Sequence, residues 1–256
     1  MDERPGERVV CGVGPVRELV TLRPRSVHAV WVDPQRAGRR ARDPVADLVI
    51  AARAADVTVV DRDRAALDRA AGEGAVHQGV IAWLGAFRYA ELADVVDAVS
   101  PALVVALDGV EDPRNLGAIV RSAYLLGAGG VIVPDHRSAQ VTTAAAKASA
   151  GATELLPIAQ VGNLARALGE LRERGLWRVA VHATDAAVPL ATLDTALPTC
   201  LVLGGEAGGI RPLVAAGCDF HARIDMARSA VGSFNVSVAA AIALYEYARG
   251  RAGTKA

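Results

Sequence analysis

Leu103-Val-Val-Ala-Leu-Asp-Gly-Val-Glu-Asp-Pro-Arg-Asn-Leu-Gly117, followed by Ala-Ile-Val-Arg121, joins two patterns in one run. Residues 103–107 are apolar without interruption, as a strand covered on both faces requires. Asp108-Gly109 ends that run. Asp112 then stands before Pro113, and from Leu116 to Leu126 apolar residues recur every three or four positions, the spacing of a helix with one buried face. A buried strand passing directly into a helix is the building unit of an α/β domain. In open α/β sheets ligands gather at the carboxyl ends of the strands, and a helix N-terminus offers free N–H groups and partial positive charge. Arg121, about one turn past Gly117, adds a cation, and the arrangement suits a phosphate. Asp112 and Asn115 also serve as candidate N-caps, a purely structural use.

The alternation continues on both sides. Strands are expected at Val9–Gly12, His28–Val32, Val57–Val60, Val80–Trp83, Gly130–Val133, Arg178–Val181 and Cys200–Leu203. Helices are expected at Pro15–Leu22, Pro44–Ala55, Arg62–Ala70, Ala139–Ala150, Asn163–Arg174 and Val236–Tyr247. This is an α/β chain with mostly parallel sheets. The stretch from Leu84 to Pro101 reads as a helical connector, Tyr89–Val99, stopped by Ser100-Pro101. We therefore expect a small domain at 6–83, a linker at 84–101 and a larger domain at 102–252, both of ordinary size.

The 256 residues carry 28 Lys plus Arg against 28 Asp plus Glu, and 52% are hydrophobic. Disordered and collagen-like chains are excluded. Bulk charge does not signal nucleic acid, so an RNA partner needs a local basic face. Arg36, Arg39, Arg40 and Arg42 around Gly38 form one candidate loop. The cysteines (Cys11, Cys200, Cys218) and histidines (His28, His77, His136, His182, His221) show no spacing of a disulfide framework or a metal site. The start, Met1 to Arg8, is charged with no apolar core after it, so no signal peptide is expected. No run approaches the roughly 18 apolar residues of a membrane span. A cytoplasmic protein without membrane or metal follows as the expectation.

Two further segments carry polar residues where chemistry gathers. Leu201-Val-Leu-Gly-Gly-Glu-Ala-Gly-Gly-Ile210 runs from a strand into a glycine-rich turn holding one carboxylate, Glu206. Glycines let a backbone approach a ligand closely, although a tight turn with a solvated Glu has the same pattern. Ile224-Asp225-Met226 precedes Gly232-Ser-Phe-Asn-Val-Ser-Val238. There Ser237 is the expected cap of the next helix, with Ser233 and Asn235 at its mouth. Val238, Ile242 and Tyr245 share one apolar face at helical spacing. A dinucleotide fingerprint is rejected. Gly12-Val-Gly-Pro15 supplies two glycines, but Arg17 occupies the third position.

In this order the segments resemble the motifs of the SpoU (TrmH-type) family, RNA ribose 2′-O-methyltransferases of the knotted SPOUT class. Asp112-Pro-Arg-Asn-Leu-Gly117 with Arg121 is similar to the first motif, Gly204-Gly-Glu206 with Gly209 to the second, and Ser233-Phe-Asn-Val-Ser-Val-Ala239 to the third. Arg137-Ser-Ala139 and His77-Gln-Gly79 resemble the bacterial subgroup acting on a guanosine of 23S rRNA. The resemblance covers nearly the whole chain. It implies a small L30e-like RNA-binding domain and a larger α/β domain with a C-terminal trefoil knot. It further implies S-adenosyl-L-methionine (AdoMet) as cofactor and a homodimer. Carried over by residue, Arg121, Asn115, Glu206, Ser233 and Asn235 are the expected catalytic positions, and Gly204, Gly205, Ile224, Met226 and Phe234 the expected cofactor-binding positions. Glu206 would fix the arginine or the cofactor loop. The third motif departs from the family pattern: Asp225 replaces a proline, Arg228 a glycine, Phe234 a leucine, and one residue is added between Met226 and Asn235. That implies an intact fold with weakened AdoMet affinity. Methylation of another rRNA or tRNA nucleotide, including one conferring antibiotic resistance, and a non-catalytic RNA-binding assembly factor are the other readings.

Overall fold

Each apolar run expected as a strand is a strand, within two residues, in the computed structural model, which describes residues 7–36, 43–72, 74–184, 186–206, 208–228 and 232–253. The chain divides into two compact units, 1–88 with 141–155, and 89–140 with 156–256.

The first unit contains β1 (Arg8–Cys11), α1 (Val13–Leu22), β2 (Val27–Val32), α2 (Pro44–Ala54), β3 (Val59–Asp61), α3 (Arg64–Ala71) and β4 (Val80–Leu84). Its sheet has the order β1-β4-β2-β3. Here the expectation of mostly parallel pairing fails: β4 lies between β1 and β2 and is antiparallel to both. The turn before β4 has positive φ at both Gln78 and Gly79, which turns the chain before it enters the sheet. Strand–helix alternation does not encode the direction of that entry. Val16, Leu19, Leu48 and Ala52 cover one sheet face. Leu67 and Ala71 cover the other, over Trp31 and Trp83, whose rings meet edge to face at 5.1 Å.

The second unit contains α4 (Leu92–Asp97), β5 (Leu103–Asp108), α5 (Pro113–Leu125), β6 (Gly130–Pro134), β7 (Ile158–Val161), α7 (Leu164–Glu173), β8 (Trp177–Val181), β9 (Val188–Pro189), β10 (Thr199–Gly204), α8 (Pro212–Ala216), β11 (Phe220–Arg223) and α9 (Val236–Gly253), while α6 (Thr143–Ala148) belongs to the first unit. The sheet runs β7-β6-β5-β10-β8-β11-β9 and is parallel throughout. Its register sets Asp108 beside Gly204, Leu203 beside Val181, and Val181 beside Ala222. Four strands therefore end side by side, and the loops leaving them share one edge.

The expected linker is largely packed chain. Val95 and Val96 of α4 are buried with Val104, Ile132 and Ala159, and Ala90 bridges to Ala159. The reading also assigns 141–155 to the larger domain, whereas the structure packs it with the first unit. There Ala146 joins the core. Glu154 pairs with Arg8, both side chains under a tenth exposed, and Arg8 Nε donates to the Gly85 carbonyl at 2.9 Å. The apolar face expected on α9 is a second correction. The buried side is Val236, Ala240, Ala243, Leu244 and Tyr247; Val238 and Tyr245 face solvent, 45% and 56% exposed. No helix among the described residues is long and apolar enough to cross a membrane.

Candidate active site

The loops leaving β5 and β10 are fastened by Asp108, which is fully buried. Its carboxylate accepts from Arg211 N and Nε, both at 2.7 Å, and from Nη2 at 2.6 Å, while its carbonyl accepts from Gly205 N at 2.8 Å. A buried carboxylate needs such partners, because desolvating an unpaired charge is prohibitive. Gly205 lies so close to the Gly109 carbonyl that a methyl group there would overlap it, and one on Gly204 would overlap the Gly209 backbone. Close backbone approach, rather than backbone freedom, explains these two glycines.

The three motifs meet at one point. Asp112 caps α5, its Oδ1 accepting from Arg114 N at 2.8 Å, with Pro113 in the first turn. This sets Asn115 on the exposed end of the helix. Asn115 Nδ2 donates to Glu206 Oε1 at 3.0 Å. Asn235 Nδ2 donates to the same oxygen at 2.6 Å and lies 3.2 Å from Asn115 Oδ1. Residues 91 and 29 positions from Glu206 are thus joined through one carboxylate oxygen. Asn235, not Ser237, caps α9. Its Oδ1 accepts from Ser237 N and Oγ at 2.9 and 2.6 Å, and its carbonyl accepts from Ala239 N.

Beside this cluster is a cleft of about 430 Å³, lined by Val181, His182, Ala183, Leu203, Gly204, Gly205, Glu206, Gly209, Ile210, Ile224, Met226, Gly232, Ser233, Phe234, Val236 and Ala239. It is of small-molecule size and mixes apolar walls with exposed backbone, as ligand sites do. The five expected cofactor positions, Gly204, Gly205, Ile224, Met226 and Phe234, all line it, as do Glu206 and Ser233. Asn115 and Asn235 stand at its edge through Glu206. Arg121 is exposed on α5 and has no hydrogen bond or ion pair among the described residues. Glu206 is taken up by the two asparagines and not by Arg121. Of the residues that depart from the family pattern, Asp225 accepts from Arg223 Nε at 3.0 Å and Phe234 is 41% exposed. Most of the basic loop at 36–42 lies outside the described residues.

The sequence reading gave no role to four participants. Asp108 and Arg211 are 103 positions apart, a separation that carries no signal. His182 lines the cleft and bonds His221 ring to ring, Nε2 to Nδ1, at 2.8 Å. The strand ends are the signal that could have found it, since His182 directly follows the apolar run of β8. Among the described residues no group of three or more His, Cys, Asp and Glu could hold a metal ion.

Comparison with known proteins adds the following. The pattern of the SpoU rRNA Methylase family matches residues 102–245. The pattern for RNA 2′-O ribose methyltransferase substrate binding matches 9–90. The chain is 40% identical over 250 residues to the 23S rRNA (guanosine-2′-O-)-methyltransferase RlmB of Pseudomonas syringae pv. tomato, spanning 96% of this chain and 97% of that one. It is 42% identical over 249 residues to the protein of the same name from Pseudomonas aeruginosa, spanning 94% and 96%. The structure superposes on the SpoU methyltransferase AviRb from Streptomyces viridochromogenes, crystallised with AdoMet, with a TM-score of 0.77 and 25% identity over 98% of this chain and 92% of that one.

Proposed function

The chain belongs to the SpoU rRNA methylase family and is an AdoMet-dependent RNA 2′-O-ribose methyltransferase, and we propose that its target is a guanosine of 23S rRNA. The convergence of Asn115, Glu206 and Asn235 at the edge of the cleft carries the proposal for the site. Relatives that span nearly the whole chain and bear a 23S guanosine name support the target.

The cleft suits the cofactor. Leu203, Ile224, Met226 and Phe234 offer apolar surface to a flat heterocycle, and the glycine backbones around 204, 205 and 232 offer polar groups without side chains in the way. When bound there, the cofactor supplies a methyl group on a sulfonium. This chain must then present a 2′-hydroxyl to it. An alcohol is a weak nucleophile at neutral pH and needs a proton acceptor or a polarising contact. Arg121 is a poor base because a guanidinium stays protonated. As an exposed cation it is suited to gripping an RNA phosphate and orienting or polarising the hydroxyl. Glu206 draws Asn115 and Asn235 together and so sets the first turn of α5 against the start of α9. Ser233, which lines the same cleft, is the residue we assign to bonding the nucleotide. As the oxygen gained the methyl it would give up its proton to water, leaving a neutral ether and a neutral thioether, and apolar walls around the sulfur would favour that loss of charge.

The region 6–83 is the proposed RNA-binding domain and 102–252 the proposed methyltransferase domain. The packing of α9 on α5, with Asn235 bonded to Glu206 after β10 and to Asn115 after β5, accords with a C-terminal knot. The exposed face of α9 supports a homodimer, and the rRNA substrate supports a cytoplasmic location.

The test is methyl transfer from labelled AdoMet to unmodified 23S rRNA, with Arg121→Ala as control. Label at the 2′-oxygen of one guanosine, lost in the variant, is the expected result. Label on another nucleotide would overturn the target. Absent transfer with intact AdoMet binding would favour a non-catalytic RNA-binding factor.

A further inference from the structure

His182 and His221 form a built feature of the cleft that the mechanism above does not use. His182 follows β8 at the carboxyl edge of the sheet and lines the cleft. His221 comes from the neighbouring strand β11 and stands behind it, with Nδ1 2.8 Å from His182 Nε2 and ring centroids 5.0 Å apart. The backbone locks the pair further, because His182 N donates to the Ala222 carbonyl at 2.9 Å. A ring-to-ring bond of this length holds one proton, so one nitrogen donates and the other accepts. Full protonation of both rings would set two N–H groups and two charges against each other. Burial first, and the charge of His221 second, hold His182 below the usual histidine range.

We propose that His182 contacts the cofactor in this site and that His221 is its positioning residue, so that AdoMet binds best while the pair is uncharged. The inference rests on the AdoMet reading of the cleft. The physical reason is charge. The cofactor's sulfonium is a permanent cation, and its α-ammonium and carboxylate cancel. An imidazolium in the wall of the same cleft repels it, and the low dielectric there strengthens the repulsion.

Among the described residues that line the cleft, only Glu206 carries a full charge without a charged partner, and it attracts the cofactor's sulfonium and a His182 imidazolium alike, so it does not remove the repulsion between those two. On the chain continuing from β11, Arg223 is bonded to Asp225 and to the Ala187 carbonyl. Beyond β10, Glu206 lines the same cleft, and the neutral amides of Asn115 and Asn235 hold its carboxylate without cancelling its charge. At the far end of β8, Arg178 is paired with Asp219. After His182 the next ionisable residue, Asp185, lies outside the described residues.

The experiment is calorimetric AdoMet binding to the full chain from about pH 7.5 to about pH 5.5, for wild type, His182→Asn and His221→Asn. A parallel series uses S-adenosylhomocysteine, whose sulfur is uncharged. One linked proton allows a slope of up to about tenfold in Kd per pH unit. Wild type is expected to weaken several-fold over this range, most of it towards pH 5.5 because His182 titrates below the usual histidine range, with a shallower slope for S-adenosylhomocysteine. His182→Asn is expected to be flat. His221→Asn is expected to weaken AdoMet binding several-fold near pH 7.5, because His182 loses the bond that positions it, with His182 titrating closer to the usual histidine range once that neighbour is gone; affinity unchanged near pH 7.5 would overturn the positioning role of His221. NMR of the histidine ring protons in wild type needs no variant: AdoMet must move the His182 resonance and lower its titration midpoint. Coincident slopes in wild type and His182→Asn, or an unmoved His182 resonance, overturn the inference while leaving the AdoMet site standing. Failure of wild type to bind AdoMet near pH 7.5 overturns both.

Discussion

Asn235 performs two tasks with one amide. Its Oδ1 caps α9, and its Nδ2 donates to Glu206. Asn235→Ala removes both, at about 1 kcal/mol for the cap and about 1 kcal/mol for the hydrogen bond. In a chain of this size that lowers Tm by roughly 4–8 °C, which calorimetry would show, with methyl transfer reduced at least tenfold, or about 1.4 kcal/mol. Asn235→Asp separates the tasks. The cap oxygen survives, but a carboxylate replaces the donor 2.6 Å from Glu206 Oε1. Expected is near-wild-type helicity with transfer lost; retained transfer would remove the Nδ2–Glu206 bond from the mechanism. Cys218 gives a second test at this scale. Burial first, against the partly compensating charge of Arg178, pushes its thiol up to about 11. Near pH 8 only about one thiol in a thousand is then the reactive thiolate. Iodoacetamide should label Cys218 slowly in the native chain and rapidly in denaturant. Since the folded thiol keeps its proton longer than the unfolded one, this group's contribution to stability falls as pH rises from the unfolded thiol's range near 8.5 towards 11.

Between elements, the decisive contact is Asp108 with Arg211, which ties the end of β5 to the loop after β10. Arg211→Met strips two side-chain donors from a fully buried carboxylate and leaves it the Arg211 amide. An unsatisfied buried acceptor costs about 1–3 kcal/mol, so the urea midpoint should fall, and AdoMet affinity with it, because the same loop walls the cleft. An unchanged midpoint would show that the guanidinium is not needed to hold that loop. Most strands were legible in the sequence because each is an apolar run of the length a sheet buries. The strand β11, Phe-His-Ala-Arg, was not, since only Ala222 of it is buried and it has no apolar run to read. Site residues were legible by type and motif order: Asn115, Glu206 and Asn235 could be named, but their shared oxygen could not. Pairs such as Asp108–Arg211 and His182–His221 lie far apart in the chain, and only the strand register brings them together. Ser237 as the cap of α9 was a local misreading; Asn235, two residues earlier, competes for the same orphan N–H groups and holds them.

For the whole molecule, the largest question left by a single chain is the unpartnered side of α9. Val238 and Tyr245 stand seven residues apart, two helical turns, and so share a face. They are 45% and 56% exposed, and Leu125 of α5, the helix that packs against α9, is 69% exposed. Solvent-facing apolar residues are ordinary singly, but Val238 and Tyr245 aligned on one face of α9 suit a contact surface. A surface that meets its own copy about a two-fold axis needs no second complementary patch, which is why a homodimer, rather than an open chain of copies, is the expected assembly. Because α5 carries Asn115 and Arg121 and Asn235 caps α9, their pairing with a second copy would bear directly on the site. Light scattering of the wild-type chain should give twice the chain mass. Val238→Glu combined with Tyr245→Glu places two carboxylates per copy in a desolvated contact and should give a monomer with unchanged helicity. A double variant that keeps twice the chain mass would show that the copies meet elsewhere. A monomer that still transfers methyl at the wild-type rate would show that each active site is complete within one chain.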